Sequence, residues 1–92
     1  MVKFPFKETI IEDSIYERTF SEDLKDEDLK WHWDEENRII KALHETDWQF
    51  QFDNLLPVKI EGEIEIKKGV WHRLIKGTGD LKLSIQKRTS DI

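Results

Sequence analysis

Short stretches in which apolar and polar residues alternate, each closed by turn-forming residues, recur along this chain, and no segment carries the 3.6-residue apolar period of an amphipathic helix. The cleanest is Trp48-Gln49-Phe50-Gln51-Phe52-Asp53, with three aromatics on one face and two amides and a carboxylate on the other. Leu81-Lys82-Leu83-Ser84-Ile85 alternates in the same way. A period of two is a strand signature, so the aromatics of 48–52 are expected in the core.

Read from the start, residues 4–20 hold two β-branched and aromatic runs with a turn near Glu12-Asp13-Ser14. Residues 21–28 are an acidic loop or a short helical turn, five of the last seven being Asp or Glu. Strands are then expected at 29–34, 38–43, 48–53, 58–60, 63–66, 70–75 and 81–85, with turns at His44-Glu45-Thr46-Asp47, Asn54 onward, Lys67-Lys68-Gly69 and Gly77-Thr78-Gly79-Asp80. Pro57 stands at the head of a strand, where its missing N–H costs no ladder bond. Eight or nine short strands at such regular spacing predict an all-β domain, a small jelly-roll barrel of antiparallel strands.

With 92 residues the chain makes one domain. Residues 1–28 contribute N-terminal strands and the acidic loop, 29–86 the barrel core, and 87–92 a frayed tail. Charged residues make up 38%, but four Trp and five Phe supply large surfaces to bury, which argues for folding over disorder. A core this thin gains from dimerisation, and a homodimer is expected. The chain has no cysteine, which excludes disulfides and thiolate metal sites. No apolar run is long enough to serve as a membrane span or leader, so a cytoplasmic protein without membrane contact is expected. The net charge of -5 argues against a nucleic-acid partner.

The chemistry concentrates in Lys30-Trp31-His32-Trp33-Asp34. On an extended chain His32 and Asp34 project to one side and Trp31 and Trp33 to the other. A third donor is available in Gly69-Val70-Trp71-His72-Arg73, where His72 shares a face with Val70 and Leu74. Two imidazoles and one carboxylate form the facial set of non-haem Fe(II) centres and equally suit Zn, Mn or Ni, so the pattern does not name the metal. If the indoles lie on the outer surface, they call for a dimer contact, a cover by the N-terminal strands, or a sugar to stack on. His44 reads as a solvated turn residue, and Gly77-Thr78-Gly79 as a hairpin turn rather than a phosphate cradle.

The segment from about residue 29 to residue 85 resembles a small single-domain cupin. Lys67-Lys68-Gly69-Val70-Trp71-His72 resembles the family's second motif, with Lys67 in the proline place, and His32-Trp33-Asp34 its first motif, with Asp34 in place of the second His. Arg38 stands where the family's metal-binding Glu is expected, and a guanidinium cannot ligate a metal. The resemblance implies a barrel with an interior pocket, a divalent metal (Fe, Zn, Mn or Ni) held by His32, Asp34 and His72, and frequent dimerisation. Such a metal would serve a dioxygenase-type or isomerase-type reaction on a small anionic molecule, with Gln51 and Arg38 contacting that substrate. Turned inward, Arg38 would instead pair with Asp34, leaving a non-catalytic ligand-binding or assembly module that meets its partner through Glu22 to Asp28 or the Trp31/Trp33 face. Lys82, ten residues after His72, resembles the basic residue with which 2-oxoglutarate-dependent oxygenases hold their cosubstrate, although alternation along 81–85 turns it to solvent.

Overall fold

A computed structural model describes residues 5–88; Phe4 and the last four residues of the expected tail lie outside the described residues. The structure has eight strands: β1 (Lys7–Glu12), β2 (Ile15–Phe20), β3 (Asn37–Ala42), β4 (Gln49–Phe52), β5 (Val58–Lys59), β6 (Glu63–Ile66), β7 (His72–Ile75) and β8 (Leu81–Arg88). They form a five-stranded antiparallel sheet in the order β1-β2-β8-β3-β6 and a three-stranded one in the order β5-β4-β7. The sheets face one another as a jelly roll that hydrogen bonding does not close into a continuous barrel. The expected all-β architecture is therefore present.

Registers set what points inward. On β8, Leu81, Leu83 and Ile85 are buried, opposite Phe20, Arg18 and Tyr16 of β2 on one side, while Leu83 and Ile85 meet Ala42 and Ile40 of β3 on the other. From the small sheet come Phe50 and Trp48, both essentially inaccessible, with Phe52 packed against them. The expected aromatic stripe of 48–52 is thus core. Trp48 buries its whole ring and still satisfies its indole N–H, which donates to the carbonyl of Gly79 at 3.0 Å. The turn beside it is close: a Cβ on Gly77 would stand 2.6 Å from the Trp48 nitrogen, so only glycine fits there. Thr78 donates its N–H and hydroxyl to Asp47 at 2.6 and 2.9 Å. Those bonds hold the Asp47 carboxyl below the usual range and make this segment a structural turn, not a phosphate cradle.

Two expectations need correction. Residues 29–34 are not a strand. Leu29 still closes a 3-10 turn over Asp26–Asp28, its N–H donating to Asp26, and only His32 pairs, in a single antiparallel bridge with His72. Beyond the bridge the Asp34 carbonyl accepts from Gly69 in the next turn, so no ladder propagates. Second, β8 runs through Lys87 and Arg88, where a tail was expected, because β3 continues to pair with it. His44 is exposed in its turn, as expected, with its Nδ1–H donating to the Glu45 carbonyl at 2.8 Å and its Nε2 accepting the Lys82 N–H at 3.0 Å. The Lys82 side chain is exposed, as alternation requires. Among the described residues no helix is long and apolar enough to cross a membrane.

Candidate metal centre

The His32–His72 bridge is the geometric origin of the site. The two residues exchange backbone bonds, His32 N–H to His72 O at 3.0 Å and the reverse at 2.9 Å. Residues directly opposite in an antiparallel pair send side chains to the same face. Their rings therefore meet on one face at the cavity, centroids 4.3 Å apart and edge-on, with His72 buried and His32 exposed. Gly69 gives the turn before β7 its left-handed backbone, at φ 79°, and through its N–H fixes the Asp34 carbonyl. That bond delivers Asp34 beside the two rings. One ligand-type atom from each of His32, Asp34 and His72 lies within 4.8 Å of the others.

Hydrogen bonds fix the tautomers. Carbonyls only accept, so His72 Nδ1 must donate to Val70 O at 2.8 Å, and His32 Nδ1 to Lys30 O at 3.1 Å. In the neutral rings each Nε2 then carries the lone pair. Second partners of this kind are what orient metal-ligating histidines elsewhere.

Opposite His72 Nε2, at 3.3 Å, stands Asp34 Oδ2. The contact lacks the alignment of a hydrogen bond, and Asp34 Oδ2 is buried without a partner among the described residues. Two acceptors face each other across a gap, in side chains only 8% and 3% exposed. An unsatisfied buried acceptor costs about 1–3 kcal/mol. A cation between them removes the penalty, and two ligands of one zinc-sized ion stand about 3–3.5 Å apart at normal bond lengths. By this test the donor set fits a divalent metal.

Arg38 points inward from β3, but it does not offer its charge to a ligand. Its Nη1 lies 3.3 Å from Asp34 Oδ1 and its Nη2 3.3 Å from Glu36 Oε1. Lys87 Nζ follows at 3.6 Å from the same Glu36 oxygen, so the charges alternate along a chain that ends at Asp34. Burial alone would raise the Asp34 pKa; contact with His72 and the Arg38 guanidinium outweigh it and hold the carboxyl below its ordinary value. His32 is lowered chiefly by loss of solvent around its ring, with neighbouring His72 adding to the effect. Both shifts keep His32 and Asp34 in their metal-binding protonation states near neutral pH.

Gln51 is not in the site. It lies on the outer face of β4, where its amide accepts from Arg73 Nε at 2.9 Å and donates to the Leu55 carbonyl. Its register partner is Arg73, whereas Phe52 on the inner face is the residue opposite His72. The strict alternation of 48–53 that buries the aromatics necessarily turns Gln51 away. Trp31 and Trp33 are half-exposed outside, as the alternation of 31–34 predicts, and the N-terminal strands do not cover them. Arg73 sits over the Trp31 ring, 4.6 Å from its centroid.

The three donors open onto a cavity of about 820 Å³. Its walls are mainly apolar, among them Phe20, Leu24, Leu29, Phe50, Leu74 and Leu83. Arg18 also lines it, a residue that the sequence reading did not single out. The available signal was its place in Ile15–Phe20: it shares a face with Phe20, and Phe20 is core.

No protein-family model matches the chain, and no characterised protein is significantly similar in sequence. Solved structures do match it in shape. A cupin-2 domain protein from Shewanella frigidimarina superposes with a TM-score of 0.59 at 15% identity, over 90% of this chain and 79% of the other. The chain has the cupin fold. Other cupin-type structures agree. Fe(II) HppE in complex with substrate matches with a TM-score of 0.65 and 14% identity over 96% of this chain, which spans 55% of that one. A putative mannose-6-phosphate isomerase from Ralstonia eutropha matches with a TM-score of 0.63 and 6% identity, over 92% and 83% of the two chains. At these identities the likeness concerns fold.

Proposed function

We propose that this small cupin-fold protein binds one divalent metal through His32, Asp34 and His72 and uses it on a small anionic molecule. The observation that carries the reading is the opposed pair His72 Nε2 and Asp34 Oδ2, both buried and 3.3 Å apart with no hydrogen bond between them. The iron named with HppE supports a metal on this fold, without fixing its identity here among Fe, Zn, Mn and Ni. When bound, such an ion supplies Lewis acidity or a site for dioxygen. The protein's own groups do the rest. Val70 and Lys30 carbonyls aim the imidazoles. Arg38 orients Asp34 by holding its other oxygen and offsets its charge. The apolar walls shield Asp34 and His72 from water, while His32 stays exposed.

The balance of charge supports an anionic substrate. Asp34, Arg38, Glu36 and Lys87 cancel one another, so a bound divalent ion would leave the cavity net positive and favour an anionic ligand within it. Metal analysis of purified protein against His72→Ala tests the proposal. About one equivalent in the wild type and a trace in the variant is the expected result. Equally negligible metal in both, even after incubation with Fe(II), Zn(II), Mn(II) and Ni(II), overturns the metal reading and leaves a pocket that binds its ligand without metal.

A further inference from the structure

We infer that Arg18 is the anion-binding residue of the cavity, and that the ligand is an amphipathic carboxylate whose head rests on Arg18 and whose apolar body extends toward His32, Asp34 and His72. Arg38, the cation that the sequence offered for this role, has both its Nη groups on Asp34 and Glu36. Arg18 is held differently. It projects from β2 to the inner side, opposite Leu83, and lines the cavity. Its side chain is only 14% exposed. Glu8 takes its Nε, and the Phe6 ring covers one face at 4.1 Å. Among the described residues these contacts leave the two Nη groups to the cavity, which is the edge of a guanidinium that binds a carboxylate in parallel bonds.

The remaining walls select what the head group is attached to. Phe20 and Leu83 flank Arg18, and Leu24, Leu29, Phe50 and Leu74 continue the lining. Asp28 and Lys30 also line the cavity, but these apolar walls offer few partners to a polyhydroxylated or multiply charged body, so a sugar phosphate is disfavoured. Along β8, Arg18 stands opposite Leu83 and Arg38 opposite Lys87. Those positions are about 13 Å apart at the rise of a strand. A ligand gripped at Arg18 therefore needs an extended body to reach the Arg38 side of the cavity, where Asp34 is held. The inference names the substrate class within the proposed function; binding at Arg18 rests on the cavity alone, and only the reaction rests on the metal.

The experiment is calorimetric titration of the intact chain with octanoate and with octan-1-ol, before and after removal of metal by chelation. Octanoate is expected to bind wild-type protein in both states. Arg18→Met is expected to weaken octanoate at least about tenfold, the scale of charge-assisted bonds, with octan-1-ol changed less than about twofold. Glu8→Gln, which frees the guanidinium further, is expected to tighten octanoate, and Arg18→Lys to fall between Met and wild type. Absence of octanoate binding, equal binding to Arg18→Met, or equal weakening of octanoate and octan-1-ol overturns the inference. Should Arg18→Met not fold, Glu8→Gln decides: unchanged or weaker octanoate binding overturns it. His72→Ala is expected to keep octanoate binding whatever its metal content, so failure of the metal reading is distinguishable from failure of this one.

Discussion

The two ends of the barrel interior are built on opposite terms. Around Trp48 the core is apolar, and the indole N–H that is buried with it has its acceptor in Gly79. Around His72 the interior holds a carboxylate, a guanidinium and an imidazole, and it leaves Asp34 Oδ2 and Arg38 Nε without hydrogen bonds. The first is what folding alone selects, because satisfied and apolar groups lose nothing on burial. The second is costly to folding, which is why it reads as a place that binds something.

The contrast can be broken most directly at the apolar end. Trp48→Ala is expected to cost about 3–5 kcal/mol, measured by urea denaturation, and to leave the metal content of the remaining folded protein unchanged. A loss below about 1 kcal/mol would mean that this end is not the stabilising half. Arg38→Met comes next. It strands the Asp34 carboxylate in a buried position, for an expected loss of about 3 kcal/mol in metal-free protein. Added metal should recover part of that loss, because it supplies a replacement cation. Replacing the polar set together, as Asp34→Leu, Arg38→Met and His72→Leu, should reverse the sign and raise stability by about 1–4 kcal/mol while abolishing metal binding. A triple variant that is less stable than wild type would show that the charged end contributes to folding after all.

Acid should act at the charged end through His32 and Asp34, and beside Trp48 through Asp47 in stronger acid. The folded pKa of His32 lies below its ordinary 6.5 and that of Asp34 below its ordinary 3.8. A group depressed in the folded state contributes stability that is present above its unfolded pKa and lost as pH falls through its folded value. The melting temperature is therefore expected to drop from about pH 7 to about pH 5 through His32, and again in stronger acid through Asp34. His32→Asn should flatten the first drop and spare the second. The smallest effect belongs to the outer surface. Trp33→Ser should change stability by less than about 0.5 kcal/mol. It is expected to lower self-association in sedimentation velocity, if the half-exposed indoles of Trp31, Trp33 and Trp71 form a homodimer contact.

These two ends were not equally legible in the sequence. The period-two pattern of 48–53 and 81–85 placed the apolar core because burial on one face leaves a direct imprint on residue order. His32, Asp34 and His72 were reachable through spacing and the resemblance of Gly69-Val70-Trp71-His72 to a known turn, and the structure brings all three together. The extended form of 29–34 was misjudged as a strand because alternation reports facing and not ladder length; one bridge suffices to aim His32 inward. Gln51 was misplaced because its chemistry was considered apart from the parity of its own strand. Arg18 went unnoticed because an inward-facing arginine leaves no periodic signal of its own and shows only once Phe20 is known to be core. Arg38 was expected to contact either a ligand or Asp34, and only coordinates decide between them.

The bridge that aims His32 has one more implication. A donor set that depends on a lone pair of backbone bonds comes apart whenever that segment frays, long before the sheets unfold. Ion uptake and ordering of the His32 strip are then one equilibrium, and each drags the other. Amide exchange at His32 should slow on metal addition while exchange at Leu83 stays as it was, making a single N–H the reporter of occupancy.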